Sequence, residues 1–224
     1  MRIIDSRKSP DPDQTEKLRD RIEKDGVLIC LDRAKAFLGK YSPRSPQELM
    51  VDLVDGKLGE GTVKGIQIEL QMPNQADAIS QLQASLKPNF GEISAQIANE
   101  LALAIASSTI LHEGVHAILD STPASQLAVD FERVSKLSNT NGEVVTLLDE
   151  GIAYAVQSHL AKEVKPIGGL APRVNEQDSP KVKKRKALGE KLKSKVREYM
   201  KANREIDDEF LSFASQAMKE VGIS

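Results

Sequence analysis

The chain has 224 residues, of which 40% are hydrophobic and 29% are charged, and its net charge at pH 7 is −2. These values exclude a disordered or fibrous protein, and they give the whole molecule no electrostatic preference for nucleic acid or acidic membranes. The single cysteine, Cys30, cannot form an internal disulfide and is expected to be a small buried residue. No apolar run is long enough for a signal peptide or a membrane span, so we predict a soluble, cytoplasmic protein.

The N-terminal part, residues 1–90, mixes helical and strand patterns. Apolar residues at helical spacing predict a short helix within 9–26, whereas 27–37 fits either a strand or a helix. Ser45, Pro46 and Glu48 form a helix start signal, which predicts a helix from there to Gly56. Alternating apolar residues over 62–70 give the strongest strand pattern in the chain, with a bulge expected at the glycine within it.

Helical patterns dominate from residue 74 onward. A helix over 75–86 is followed by a predicted break at 87–92, and then by an apolar run over 93–119 that indicates a buried central helix. After a loop–helix–loop connection, a second apolar helix is predicted over 144–164, and the C-terminal apolar stripe predicts one or two further helices after a loop at 165–180.

The resulting prediction is a single domain over 1–224, of the α+β class and predominantly helical. Its parts are an N-terminal part with a small sheet (1–90), a pair of metal-site helices (91–164), and a loop with a C-terminal helix (165–224).

The central helix carries the sequence His112-Glu113-Gly114-Val115-His116, which includes two of the three histidines in the chain. Histidines four residues apart on a helix point the same way and can bind one metal ion together. Glu113 then lies beside the ion without being a ligand, where it can take a proton from a water whose pKa the ion lowers to about 7. Composition alone produces this pattern in roughly one such chain in a few hundred, and a pair of core histidines would need two separate hydrogen-bond partners.

A catalytic zinc site usually has three protein ligands, so a third ligand is expected. The short downstream pattern that supplies a third histidine in metzincins is absent, and His159 lies far along the second helix. Glu150 is the strongest candidate because its helix is apolar on both sides, and a buried carboxylate needs a compensating partner. Glu132 and Glu143 lie in polar contexts that favour solvated side chains.

The segments "HEGVHAILD" (112–120) and "DEGIA" (149–153) resemble the gluzincin metallopeptidases. The resemblance implies a zincin-like fold, a zinc ion held by His112, His116 and Glu150, and Glu113 as the general base of peptide hydrolysis. The interval from His116 to Glu150 is longer than in thermolysin-like members of the family, and Tyr154 stands where these have an aspartate.

Two further roles follow from this interpretation of the site. Because a ligating histidine usually donates its other N–H to a carboxylate or carbonyl, Asp149 and Asp120 are candidates for that position. Tyr154, one turn after the third ligand, is a candidate for stabilising the oxyanion, although an ordinary buried tyrosine is an equally good interpretation. His159 should point the opposite way, and Tyr41 or Tyr199 could reach the site only through the tertiary fold.

Three rival interpretations remain. A di-iron helical bundle would need a second Glu-x-x-His sequence, which the chain lacks. The basic run 181–197 could bind nucleic acid, but apolar residues at helical spacing favour the solvated face of a packed helix. A catalytically silent zincin-fold module that binds metal or peptide would have the same ligands as a peptidase, although Glu113 argues for chemistry. We therefore expect a zinc-dependent peptidase acting on peptides or proteins, with no prediction of its oligomeric state.

Overall fold

The computed structural model describes residues 1–136, 142–160 and 178–223. Strands are confined to the N-terminal third, and helices make up most of the remainder, which confirms a predominantly helical α+β architecture. In chain order the elements are β1 (Arg2–Asp5), α1 (Pro12–Lys24), α2 (Val27–Leu38), β2 (Met50–Val54), β3 (Glu60–Lys64), β4 (Gln67–Gln71), α3 (Gln75–Phe90), α4 (Ala95–Ile118), α5 (Gln126–Ser135), α6 (Glu143–Leu160), α7 (Pro180–Lys201) and α8 (Asp208–Glu220).

The four strands form one mixed sheet in the order β1-β2-β4-β3. β2 pairs in parallel with β1 and β4, whereas β3 runs antiparallel to β4 and lies at one edge of the sheet. Alternate residues of β2 and β4 are fully buried, namely Val51, Leu53, Ile68 and Leu70. This alternation buries one face of the sheet, which packs into the main core beneath the helices.

The structure corrects two of the local predictions for the N-terminal part. The start signal at Ser45 and Glu48 forms its capping box, but the turn it begins covers only Pro46–Glu48 before strand β2 starts. No long helix follows because the next residues alternate between buried and partly exposed, as in a strand. The predicted single strand over 62–70 is a hairpin of β3 and β4 rather than a bulged strand, with Gly65 at a φ of +66° in the turn.

Three helix boundaries also differ from the sequence patterns. The ambiguous segment at 27–37 is helical from its first residue, and α3 continues through Pro88 instead of breaking at residue 87. The C-terminal stripe forms two helices, because Asp207 caps a new helix by accepting a hydrogen bond from the Phe210 N–H. Most of the predicted 165–180 loop lies outside the described residues.

Helix α4 is the central element of the fold and the one that carries the histidine pair. It contacts α1, α2, α3 and α6 as well as β3 and β4. Gly114 permits a close approach of α2, since a Cβ there would lie 2.7 Å from Leu31 Cδ2. The helix is long and apolar enough to cross a membrane, but 67% of its most apolar stretch is buried inside the protein, the environment of a core helix.

Candidate metal centre

His112 and His116 lie one turn apart near the C-terminal end of α4 and point to the same side of the helix. Their ring centroids are 4.8 Å apart and the rings are nearly perpendicular. The two Nε2 atoms face each other at 3.2 Å. The four-residue spacing on a packed helix therefore brings both imidazoles to one point, as the sequence predicts.

Helix α6 brings Glu150 to the same point. Its Oε2 atom lies 3.9 Å from His112 Nε2 and 3.8 Å from His116 Nε2. Leu148 and Ile152, on either side of it in the sequence, are fully buried, so the position of α6 is fixed by the core. One ligand atom from each of the three residues lies within 4.8 Å of the others, which is close enough to hold a metal ion.

The donor set fits a divalent transition metal. Two imidazole nitrogens with one carboxylate oxygen suit zinc and several other first-row ions, whereas calcium and magnesium prefer oxygen ligands alone. The Nε2 atoms of His112 and His116 can share at most one hydrogen bond with each other, so at least one lone pair or N–H at this point needs another partner. The donor set alone does not fix which metal binds.

Asp149 stands behind one of the histidines, on the side away from the proposed ion. His116 Nδ1 donates to Asp149 Oδ1 at 2.7 Å, and Ser121 Oγ donates to Asp149 Oδ2 at 2.7 Å. A proton on Nδ1 leaves Nε2 as the ligating nitrogen. The second predicted candidate, Asp120, accepts hydrogen bonds from Thr122 instead.

The two histidines have opposite proton affinities. Burial, together with the charge of His116, holds the pKa of His112 well below its usual value, so this imidazole is neutral and free to bind a cation. Burial also acts to lower the pKa of His116, but the Asp149 carboxylate outweighs it and raises that pKa to about 9. A cation binding at His116 Nε2 therefore replaces a proton.

Glu113 lies beside the three ligands without being one of them, as expected from its place in the motif. It lines the same pocket and faces strand β3. Gly61 in that strand leaves room for it, because a Cβ there would lie 2.8 Å from Glu113 Cγ. Burial raises the pKa of Glu113, which makes its carboxylate a better proton acceptor than an exposed one.

Tyr154 also lines the pocket, one turn after Glu150. Its ring packs against the His112 ring, with the centroids 4.6 Å apart. Burial and the charge of Glu150 raise the pKa of Tyr154 to about 12. Its hydroxyl therefore keeps its proton at neutral pH and is able to donate a hydrogen bond into the pocket.

The remaining candidates from the sequence lie elsewhere in the fold. The hydroxyls of Tyr41 and Tyr199 each donate to an aspartate outside the pocket. His159 is buried and does not line the pocket. Glu132 and Glu143 are exposed, which agrees with their polar sequence contexts.

Two residues that the sequence pattern did not single out belong to the site. Gln157 lies beside His112 and donates to the carbonyl and hydroxyl oxygens of Ser108. Arg185 of α7 pairs with Glu150, with 2.5 Å between Nη1 and Oε1. The signal that would have identified Arg185 is its position three residues before Leu188, on the apolar stripe of its helix.

The pocket that contains these residues has a volume of about 800 Å³. It is bounded by α4 and α6, by the edge strand β3 with the turn that follows it, and by the first turns of α7. Its lining includes Gly61, Thr62, Val63, His112, Glu113, His116, Asp149, Glu150, Tyr154, Arg185 and Lys186. A pocket of this size can accommodate several residues of a peptide or a small molecule.

Comparisons of the chain with protein-family models, with curated proteins and with solved structures find no match. The resemblance to gluzincins therefore rests on the two short sequence segments. The metal centre itself rests on the convergence of two histidines and one glutamate in this fold.

Proposed function

We propose that this protein is a zinc-dependent peptidase with a gluzincin-type site in a zincin-like fold. The observation that carries the proposal is the convergence of His112, His116 and Glu150 within 4.8 Å, with Glu113 beside them in the same pocket. A site that only bound a metal would have no use for a carboxylate at this distance from the ligands. The three ligands together with this carboxylate favour metal-assisted hydrolysis.

A zinc ion held by these ligands would supply Lewis-acid chemistry, polarising the scissile carbonyl and lowering the pKa of water. Glu113 takes a proton from the attacking water on one carboxylate oxygen. It then delivers that proton to the amide nitrogen as the C–N bond breaks, so that water and one peptide bond yield a carboxylic acid and an amine. Its raised pKa suits both transfers.

Tyr154 is the proposed donor to the developing oxyanion. It lines the pocket one turn from Glu150, and its hydroxyl keeps its proton at neutral pH. A donor at that point stabilises negative charge that is present only in the transition state.

Strand β3 supports a peptide as the substrate. It pairs with β4 along one edge, and Gly61, Thr62 and Val63 in it line the pocket next to Glu113. Among the described residues no strand pairs with its other edge. An extended peptide bound there would make main-chain hydrogen bonds with β3 and cross the pocket beside the general base.

The decisive experiment compares wild type with Glu113→Gln and Glu150→Ala, with Glu132→Gln as a surface control. We expect purified wild type and Glu113→Gln to contain zinc, and Glu150→Ala to have lost most of it. Hydrolysis of a broad library of quenched fluorescent peptides should require both zinc and Glu113, while Glu132→Gln behaves as wild type.

Two results would contradict parts of this proposal. Unchanged zinc content in Glu150→Ala would exclude that residue as a ligand. Zinc-loaded wild type that hydrolyses no peptide would instead favour a catalytically silent module that binds metal or peptide.

A further inference from the structure

Arg185 makes a buried ion pair with the proposed third ligand. Its Nη1 lies 2.5 Å from Glu150 Oε1, and the two side chains are only 20% and 17% exposed. This arginine belongs to the basic run 181–197, for which the sequence predicts a solvated face. At this one position the run instead turns a guanidinium into the pocket.

The packing of α7 on α6 explains how Arg185 reaches the site. The two helices approach closely at glycines, since a Cβ at Gly151 would lie 2.7 Å from Leu188 Cδ2 and a Cβ at Gly189 would lie 2.5 Å from Tyr154 Cβ. Arg185 precedes Gly189 by four residues and so lies on the same face of α7. The close approach at the glycines therefore places its side chain against Glu150.

The contact divides the two oxygens of Glu150 between different partners. Oε1 is held by Arg185, while Oε2 lies 3.8 Å from His116 Nε2 and 3.9 Å from His112 Nε2. The Nε atom of Arg185 is buried and has no hydrogen-bond partner among the described residues. The orientation of the guanidinium is therefore set by its contact with Glu150, at the cost of one unsatisfied N–H.

We propose that Arg185 is a positioning residue, which holds Oε1 of Glu150 so that only Oε2 is free to bind the metal ion. This inference rests on the metal site of the proposed function. A carboxylate can bind an ion through one oxygen or through both, and a second oxygen would take a place that water or substrate needs. The planar guanidinium suits this task because its N–H groups have fixed directions.

Metal affinity alone would not test this role. Removing a positive charge near a cation favours binding of the cation, whereas removing support from a ligand disfavours it, so the two effects oppose each other. The number of coordinating atoms separates them, and cobalt(II) reports that number through its visible d–d absorption, which weakens as the number rises.

The experiment measures visible spectra of cobalt-loaded wild type, Arg185→Met, Arg185→Gln and Arg185→Lys. In the Met and Gln variants Glu150 should bind through both oxygens, and the absorption per bound cobalt should fall several-fold. Arg185→Lys should stay close to wild type, because an ammonium group can still occupy Oε1. Lys191→Met is the matched control, since Lys191 lies on the same helix and pairs with Glu220 at the surface.

A small variant tests the same point by chemical rescue. Arg185→Ala should show the weak spectrum, and low millimolar guanidinium should restore the wild-type spectrum by occupying the vacated place beside Glu150. A merely structural role of Arg185 in packing α7 would not respond to a soluble guanidinium ion.

The possible outcomes separate this inference from the proposed function. Wild-type spectra in Arg185→Met, Arg185→Gln and Arg185→Ala would overturn the role of Arg185 and leave the peptidase proposal standing. The predicted spectra in a protein that hydrolyses no peptide would support Arg185 and contradict the peptidase. Wild type that binds no cobalt would overturn both.

Discussion

At Asp130 in α5, donors from this chain occupy both oxygens of a buried carboxylate: Oδ1 accepts from Gln126, and Oδ2 accepts from Lys40 and Tyr41. At the metal centre, by contrast, two imidazole nitrogens and Oε2 of Glu150 point at one another. The polar groups of the first cluster satisfy each other, whereas those of the second converge on a point that needs a cation.

This difference separates a structural polar cluster from a functional one. A cluster that satisfies itself should lose stability when a member is replaced. A cluster arranged around an external ligand should instead lose the ligand, and replacing a member can even stabilise the protein without it. The predictions below test the two clusters against each other.

The largest effect is expected for Asp149→Asn at the metal centre. Loss of the carboxylate behind His116 removes the group that orients the imidazole, which typically weakens metal binding by about 10- to 100-fold. Competition with a chromophoric chelator measures this affinity. Asp120→Asn is the matched control and should bind metal like wild type, because Asp120 contacts Thr122 and neither histidine.

Asp130→Asn should destabilise the protein by about 1.5–3 kcal/mol, because charge-assisted hydrogen bonds from Lys40 and Tyr41 are lost inside the protein. Chemical denaturation measures the free energy of unfolding. Glu132→Gln, an exposed change on the same helix, should stay within about 0.5 kcal/mol of wild type. Equal stability of Asp130→Asn and wild type would show that this cluster contributes nothing to the fold.

The contribution of Asp130 should also depend on pH. Burial acts to raise the pKa of Asp130, but hydrogen bonds from Lys40 and Tyr41 outweigh it and lower that pKa from 3.8 to about 2. For a carboxyl with a lowered pKa, the stabilisation is complete above pH 3.8 and is lost as the pH falls towards 2. The difference in unfolding free energy between wild type and Asp130→Asn, about 1–2 kcal/mol from this shift alone, should shrink over that range and stay constant from pH 5 to 7.

The smallest effect, with the opposite sign, is expected for Glu113→Gln. The structure gives this partly buried carboxylate no hydrogen bond or ion pair among the described residues, so its charge is costly when no metal is bound. The neutral amide should stabilise the metal-free protein by ~0.5–1 kcal/mol. A decrease in the melting temperature of metal-free Glu113→Gln, compared with wild type, would place Glu113 with the structural cluster instead.

The position of the metal centre could be predicted from the sequence because helix geometry converts spacing into direction. Histidines four residues apart share a face, and a glutamate in an apolar helix needs a partner, so His112, His116 and Glu150 were identified without any fold. Arg185 was not identified, because a basic run is usually solvated. Its role depends on how closely two helices approach, which no local pattern reports.

The sheet was less predictable than the helices. β3 and β4 show alternation, but β1 has only four residues and joins β2 by parallel pairing across more than forty positions of chain. Such pairing depends on contacts far apart in sequence. The capping box at Ser45 was a true local signal that began a single turn, after which burial of Val51 and Leu53 determined the structure.

Three glycines described above suggest how relatives of this protein could be identified. Gly114 lets α2 approach the histidine pair, Gly151 follows the third ligand, and Gly189 follows Arg185 by four residues. The packing of the site therefore imposes a longer sequence signature than the two histidines and the glutamate do: His-Glu-Gly-x-His, then Glu-Gly, then Arg-x-x-x-Gly. A chain with all three parts in this order would be expected to build the same pocket, even where the rest of its sequence has diverged.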